Sequence, residues 1–269
     1  MKLGMICESM QDQYGPVAFS SCEKLGLDFI EVCCNFDKDT DDFLAKVRET
    51  KKYVENSPVK IGSVGRWNLH ANKGGIIDAK ELDKNIRLMN AAAEVGSPVF
   101  VCGCNYAGDV SRYKNYGAAI EYFSKITEEA NKIGIKAATY NCDWGNFVCH
   151  SAAWDIILQE VPDLWIKYDP SHAFHRTRGY LNYLEELDRW LPKIAHMHVK
   201  GAAYLNGEGI DDPPAGMDQI DWNTVFVLIY KYGYDAGLSI EPHSSVWNGE
   251  LGEKGVQFTI DFIRKFMLR

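Results

Sequence analysis

The sequence lacks the marks of several classes of protein. No apolar run approaches the ~20 residues that cross a bilayer, and no segment has low complexity or a long run of one charge. Acidic residues outnumber basic ones by 37 to 29, which gives a formal net charge of −8. Such a charge disfavours a surface that neutralises a phosphate backbone. We therefore expect neither a membrane nor a nucleic acid as a partner.

Paired cysteine motifs are also missing. The 8 cysteines include the adjacent Cys33 and Cys34, and Cys102 and Cys104 on either side of one glycine, but no Cys-x-x-Cys. No spacing matches a structural zinc site, so reduced thiols that serve as small buried groups are expected. The N-terminal apolar run stops at Glu8, before a signal-peptide core can form. These observations predict a cytoplasmic protein.

No linker divides the 269 residues, so a single domain over 1–269 is expected. Short apolar runs recur along the chain, and each is too short for a helix. These predicted strands are Lys2–Ile6, Phe29–Cys33, Lys60–Val64, Val99–Cys102, Ile135–Tyr140, Leu164–Tyr168, Ile194–Val199 and Leu238–Ile240.

Amphipathic segments with apolar residues three to four apart separate these runs. The predicted helices are Pro16–Leu25, Asp42–Val54, Lys80–Val95, Tyr116–Ile133, Ser151–Gln159, Tyr180–Trp190, Trp222–Tyr232 and Val256–Phe266. Gly26, Gly96 and Gly134 follow helix ends and Asp221 precedes a helix start. About eight strand–helix units predict an α/β fold, a single (β/α)₈ TIM barrel. The rival doubly wound sheet usually has a Gly-rich turn after its first strand, and residues 7–11 contain no glycine.

Polar residues stand at the carboxyl ends of the predicted strands, where the active site of such a barrel forms. Asp169, His198 and Glu241 follow or end three neighbouring strands. Two carboxylates and an imidazole suit a divalent ion. Taken singly, Asp169 is also a turn residue before Pro170, and Glu241 a strand-end charge that meets solvent. Their convergence favours a metal or substrate site.

Other side chains are expected near the same site. His196 and His198 alternate along one strand, so they share a face, and Lys200 continues it. Lys200 is expected to meet an oxyanion or a phosphate, or to be a solvated rim lysine. His172 follows Asp169 across a Pro-Ser turn, a spacing that suits substrate contact or proton transfer. His150, His175 and His243 are expected to be surface or loop residues.

Loop aromatics and one arginine complete the predicted binding residues. Trp67, Trp144 and Trp247 follow the third, fifth and eighth strands, where their flat faces suit the C–H surface of a sugar ring or anchor the loops to the barrel. Arg66 stands beside Trp67 at the end of the third strand and is a candidate substrate ligand.

These motifs resemble the xylose isomerase-like TIM barrel superfamily, the sugar phosphate isomerase/epimerase group. The resemblance covers nearly the whole chain and rests on residues 169–172, 196–200, 216–222 and 234–242. It implies metal ligands at Asp169, His198 and Glu241, with His172 touching the substrate. Two positions depart from the family: Tyr140 stands where the family has a metal-binding Glu, and Gly201 where Asp is common.

The resemblance implies a sugar isomerase or epimerase in which metal-assisted proton abstraction beside a carbonyl uses Glu241 as the base. Tyr140 does not easily replace a carboxylate as a base, because a phenol has an intrinsic pKa of ~10, and it offers one oxygen where the carboxylate offers two. In one-base chemistry His172 or Tyr140 is the expected acid. Two alternatives stay open: a lyase or dehydratase of a keto-sugar or inosose that needs one base, and a non-catalytic sugar-binding relative with a degenerate metal site. The DNA-repair branch of the superfamily fits least, because it uses a larger His-rich zinc cluster and a basic surface.

The expected cofactor is a divalent ion, Mn, Mg, Co or Zn, unless the change at Tyr140 has removed it. The expected partner is a small-molecule sugar. Barrels of this type often associate, so a homo-oligomer is an open alternative, although no distinctive interface motif is present.

Overall fold

The apolar runs form parallel strands and the amphipathic segments form helices between them, as the alternation predicts. A computed structural model describes residues 1–7, 12–68, 70–180 and 182–268. Glu8, expected at the end of the first strand, lies outside these residues. Among the described residues, no helix is long and apolar enough to span a membrane. The cytoplasmic location stays a prediction.

Twelve strands are present in the described part of the chain. They are β1 Lys2–Ile6, β2 Phe29–Cys33, β3 Lys60–Arg66, β4 Asn72–Lys73, β5 Ile76–Ile77, β6 Val99–Cys102, β7 Lys136–Tyr140, β8 Trp165–Tyr168, β9 Ile194–Val199, β10 Ala203–Leu205, β11 Glu208–Asp211 and β12 Gly237–Ile240. Eight of them close into a parallel barrel in the order β1-β12-β9-β8-β7-β6-β3-β2, while β4-β5 and β10-β11 form small antiparallel sheets. The predicted (β/α)₈ fold is confirmed.

Nine α-helices lie within the described ranges. They are α1 Pro16–Lys24, α2 Asp37–Asn56, α3 Ala79–Glu94, α4 Arg112–Ile133, α5 Ser151–Glu160, α6 Pro170–Arg176, α7 Tyr183–Trp190, α8 Trp222–Lys231 and α9 Gly249–Arg264, with a short 3₁₀ turn at Leu191–Lys193. All eight predicted helices exist. The helix α2 begins five residues and α9 seven residues before the predicted start, because their polar first turns carry no apolar periodicity.

The elements form two compact units, Met1–Ile6 with Tyr168–Arg269, and Cys7–Lys167. In the first unit β12 pairs with β1 and with β9, and Ser239 stands opposite His198. In the second unit β3 pairs with β2 and β6, and β7 pairs with β6 and β8, where Tyr140 stands opposite Lys167. The prediction of a single domain over 1–269 stays a prediction.

Helix ends follow the predicted capping residues. Gly134 ends α4 in the left-handed region at φ 74°, which costs a glycine little because it has no Cβ. Asp221 begins α8 by accepting a hydrogen bond from the Thr224 N–H at 3.0 Å. Gly26 and Gly96 also have positive φ, at 65° and 80°. These four predictions are confirmed.

The segment after β8 differs from the expected Pro-Ser turn. Asp169 caps the seven-residue helix α6, and its Oδ1 accepts from the Ser171 N–H at 2.8 Å. Pro170 occupies the first helical position, where its fixed φ suits a helix and no N–H is needed. A helix of two turns is too short for apolar periodicity to reveal it. The prediction of a turn here is wrong.

Asp218, in the loop before α8, gives the fold a pH dependence. Burial raises the pKa of its carboxyl to about 6, although the Gly216 N–H and the Trp222 indole N–H donate to it. An aspartate in an unfolded chain has a pKa of ~3.9. Between about pH 4 and pH 6, therefore, the Asp218 carboxyl is protonated in the folded chain and ionised in the unfolded chain. Stability therefore falls as the pH rises through that window.

The substitution Asp218→Asn removes this titration. We expect the unfolding free energy of the wild type, relative to the variant, to fall between about pH 4 and pH 6 and to stay constant above about pH 7. Urea unfolding at several pH values measures the difference. A difference that does not change with pH would contradict the assignment.

Candidate active site

Asp169 lies at the centre of a polar cluster in the first unit. Its side chain is fully buried. One oxygen caps α6, as described above, and the other, Oδ2, faces three nitrogen atoms. These are His172 Nε2 at 3.5 Å, Lys200 Nζ at 3.5 Å and His198 Nδ1 at 3.9 Å. The strand β8 and the helix start after it therefore fix this carboxylate in place.

His198 and Glu241 come from neighbouring strands of the same unit. His198 lies near the end of β9, and Glu241 follows β12, with its backbone N–H bonded to the Val199 carbonyl at 3.1 Å. The two side chains meet with His198 Nδ1 2.9 Å from Glu241 Oε2. His198 is 1% exposed and Glu241 17% exposed. Because a carboxylate only accepts, this contact places a proton on Nδ1 of His198.

Lys200 places its ammonium between the two carboxylates. Its Nζ lies 3.5 Å from Asp169 Oδ2 and 3.5 Å from Glu241 Oε2, and the side chain is only 2% exposed. It also lies 3.2 Å from His172 Nε2. An ammonium has no lone pair, so it is the donor and His172 Nε2 the acceptor. Lys200 is therefore not exposed to solvent at the rim of the barrel, and that alternative from the sequence is wrong.

The space around position 201, the residue after Lys200, explains why a glycine stands there. A Cβ at Gly201 would lie 2.0 Å from the Pro213 carbonyl oxygen and 2.9 Å from Asp218 Cβ. The backbone of the loop after β11 occupies the space that the aspartate common in this position would need. The departure from the family motif follows from this close approach.

The chemistry of the cluster suits a divalent ion. The ligand atoms of Asp169, His198 and Glu241 all lie within 4.8 Å of one another, close enough for one ion to contact all three. Two oxygen ligands and one nitrogen ligand match the preferences of Mn, Mg, Co or Zn. The structure brings the three predicted metal ligands together, and their role as ligands stays a prediction.

Tyr140 lies in the second unit and is fully buried at the end of β7. Its hydroxyl donates to the Trp144 carbonyl at 2.7 Å and accepts from the Asn68 N–H at 3.2 Å. Its ring fills the space beside Gly103, where a Cβ would lie 2.8 Å from the hydroxyl oxygen. Burial raises the pKa of Tyr140 well above its ordinary value, although the Asn68 N–H opposes the shift. The hydroxyl thus stays protonated and ties two loops together.

The variant Tyr140→Phe tests this structural role. It leaves the Asn68 N–H and the Trp144 carbonyl without their shared partner, and we expect a loss of about 1–3 kcal/mol in unfolding free energy. Urea unfolding measures the loss. The control Tyr113→Phe changes a tyrosine that is 88% exposed and should leave stability unchanged. An unchanged stability in Tyr140→Phe would contradict the role.

The predicted aromatic residues of the second unit differ in exposure. Trp67 is buried, with its ring centroid 5.9 Å from that of Tyr140 and 5.8 Å from Lys167 Nζ. Trp144 is 44% exposed and makes an edge contact with Phe36 at 6.4 Å. Trp144 therefore offers a surface to a ligand, whereas Trp67 anchors its loop. Their substrate contacts stay predictions.

Arg66 is a buried side chain at the end of β3 that belongs to an ion-pair network. One terminal nitrogen lies 2.9 Å from Glu81 and the other 2.7 Å from Asp37, which also pairs with Lys84. The side chain is 6% exposed. The network joins β3 to α2 and α3. Substrate binding by Arg66 stays a prediction, and its charge is already balanced by these carboxylates.

Sequence reasoning missed a second polar group in the first unit. Asp212, just after β11, lies between His175 Nε2 at 2.9 Å and His243 Nδ1 at 3.2 Å. Burial alone would raise the pKa of Asp212, but the hydrogen bonds to the two histidines outweigh it and hold the pKa well below its usual range. His175 also contacts the Tyr204 hydroxyl at 2.9 Å. His243 lies in a loop with its side chain 62% exposed, as expected, whereas His175 lies in α6 and is 29% exposed. No sequence spacing signals their shared contact with Asp212.

Beside Lys200 lies a small cleft of about 30 Å³ in the same unit. Glu241, Asp212, His243 and Trp247 line it with Lys200. Trp247, predicted near the site, therefore faces a space next to the cluster. Both the Glu241 carboxylate and the Lys200 ammonium border this cleft.

The fold and this cluster agree with the comparison to known families. The model of the xylose isomerase-like TIM barrel family matches residues 19–266. The chain belongs to this family. No curated protein matches the sequence significantly. The resemblance seen in the strand-end motifs is thus confirmed at the level of the family.

Solved structures of the same fold cover nearly the whole chain. The D-psicose 3-epimerase of Clostridium cellulolyticum H10 has a TM-score of 0.75 at 13% identity and covers 99% of each chain. The 3-keto-D-glucoside 4-epimerase of E. coli has a TM-score of 0.74 at 13% identity, covering 98% of this chain and 99% of that one. A probable 3-DHS dehydratase from Bacillus anthracis has a TM-score of 0.72 at 13% identity and the same coverage. At such identities the likeness shows the fold alone.

Proposed function

We propose that this protein is a sugar isomerase or epimerase that moves a proton at the carbon next to a carbonyl of a sugar or keto-sugar. The observation that carries the proposal is the position of Glu241. Its carboxylate lies 2.9 Å from His198 Nδ1 and 3.5 Å from Lys200 Nζ, and it is more exposed than Asp169. A carboxylate base beside a fixed cation suits the formation of an enolate.

Three residues of the cluster have defined parts in this reaction. Glu241 takes the proton, the C–H electron pair forms a C=C bond, and the carbonyl oxygen gains a negative charge. The Lys200 ammonium lies beside Glu241 and stabilises that oxygen. In isomerisation the proton returns to the former carbonyl carbon, while the proton of the adjacent hydroxyl moves to the enolate oxygen. In epimerisation an acid on the opposite face returns a proton to the same carbon, and Glu241 keeps the one that it took. The His198 contact orients the carboxylate of Glu241.

Asp169, His198 and Glu241 would also hold a divalent ion. When bound, such an ion polarises a carbonyl and an adjacent hydroxyl. The fold supports the substrate class, since two solved structures that share it are named as epimerases of a ketose and of a keto-glucoside.

Solvent deuterium exchange tests the proposal. Purified protein, with and without added Mn²⁺, is incubated in D₂O with a set of ketoses, keto-glucosides and their phosphates, and NMR follows the C–H signals beside the carbonyl. We expect loss of one such signal for at least one compound, with an isomer or epimer as the product. Absence of exchange in every compound would reject the enolisation chemistry.

A dehydratase is the second candidate, favoured by the contact of Lys200 with His172. The 3.2 Å contact places a proton donor pair beside the base, and such a pair can protonate a leaving hydroxyl. One structure of the same fold is named a probable dehydratase. Elimination would create a conjugated carbonyl with ultraviolet absorbance, whereas isomerisation would not. Product mass separates the two, because only elimination loses water.

A further inference from the structure

We propose that the Lys200 ammonium is the resident cation of the Asp169–His198–Glu241 site and competes with a divalent ion for its two carboxylates. The ammonium lies 3.5 Å from Asp169 Oδ2 and 3.5 Å from Glu241 Oε2, oxygens of the two carboxylates in the candidate metal site. The lysine and the ion therefore need the same negative charge. This inference concerns ion binding and does not depend on the identity of the sugar.

The charge balance decides the sign of the effect. The carboxylates of Asp169 and Glu241 contribute two negative charges, and the ammonium of Lys200 contributes one positive charge. A divalent ion that enters this group meets the positive charge of Lys200 beside the carboxylates that it needs. Without Lys200 the ion meets the same two carboxylates without that repulsion. Because charges interact strongly where water is excluded, the lysine weakens ion binding.

Lys200 cannot leave the site at low cost. Its side chain is 2% exposed, and its ammonium also donates to His172 Nε2 at 3.2 Å. At the next residue, Gly201, the backbone lies so close to the Pro213 carbonyl that an added Cβ would be 2.0 Å from its oxygen. An incoming ion would have to displace a buried ammonium from three partners.

The test measures binding of Co²⁺ and Mn²⁺ to wild type and to Lys200→Met, without any sugar. Each protein is treated with a chelator, dialysed against the ion, and analysed for metal content and for the visible absorption of Co²⁺. We expect weak binding by wild type and a dissociation constant at least about tenfold lower in Lys200→Met. Wild type that retains one ion per chain through dialysis against metal-free buffer would overturn the proposal, as would equal affinities.

Two further variants keep the result interpretable. Lys231→Met removes an equal charge from a side chain that is 52% exposed and pairs with Asp188, and it should bind the ion like wild type. Lys200→Met combined with Glu241→Gln should lose the gained affinity, which locates the ion. If Lys200→Met does not fold by circular dichroism, Lys200→Gln replaces it, and the wild-type measurement alone can still reject the proposal.

Discussion

Replacing Glu241 by Gln is expected to lower the rate of deuterium exchange by about 10²–10⁴, the range that a positioned general base contributes. Gln keeps the size and one oxygen of the side chain but cannot take a proton. The contact of that oxygen with His198 Nδ1 can persist, so the fold should be retained. Exchange measured by NMR gives the rate, and circular dichroism confirms the fold.

Glu250→Gln is the matched control, since its side chain is 83% exposed and pairs only with Lys254 on the same helix in the described structure. This variant should exchange at the wild-type rate. If Glu241→Gln retains more than about a tenth of the wild-type rate, Glu241 is not the base, since loss of a base costs at least about 10².

Replacing Asp169 by Asn is expected to lower the unfolding free energy by about 3 kcal/mol, within the range for removing one partner of a buried ion pair. Asn keeps an oxygen that can accept from the Ser171 N–H and cap α6. The change therefore removes the charge facing Lys200 and leaves the cap in place. Urea unfolding measures the loss.

The double variant Asp169→Asn with Lys200→Met separates charge from packing. If the loss comes from an uncompensated ammonium, the double variant should be more stable than Asp169→Asn alone. Asp188→Asn is the control, because Asp188 is 42% exposed and pairs with Lys231 at the surface. It should change stability by less than about 1 kcal/mol. A loss in Asp169→Asn no larger than in this control would contradict the stabilising role of the buried pair.

The sequence was sufficient to predict the barrel and the convergence of Asp169, His198 and Glu241. Parallel strands in a barrel share one carboxyl end, so polar residues that follow neighbouring strands must lie near one another. Strand alternation placed Lys200 on the face of His198 in the same way. These inferences need only the order of the strands and helices along the chain, and the alternation of side chains between the two faces of a strand.

The contacts that set the chemistry could not be predicted. Strand periodicity does not reveal whether a rim lysine turns to water or to a carboxylate, and Lys200 turns inward. Asp212 meets His175 and His243 only because the β10-β11 hairpin folds back, which no local pattern records. Arg66 looked available at a strand end, yet Asp37 and Glu81 on α2 and α3 bind it.

A crystal structure of the Glu241→Gln variant with a bound keto-sugar is the sharpest test of Glu241 as the base. We expect the sugar beside position 241 in the first unit, with the carbon next to its carbonyl about 3–3.5 Å from the end of the substituted side chain. The carbonyl oxygen should face Lys200. A sugar bound there with that carbon directed away from position 241, or bound only elsewhere on the protein, would contradict the assignment.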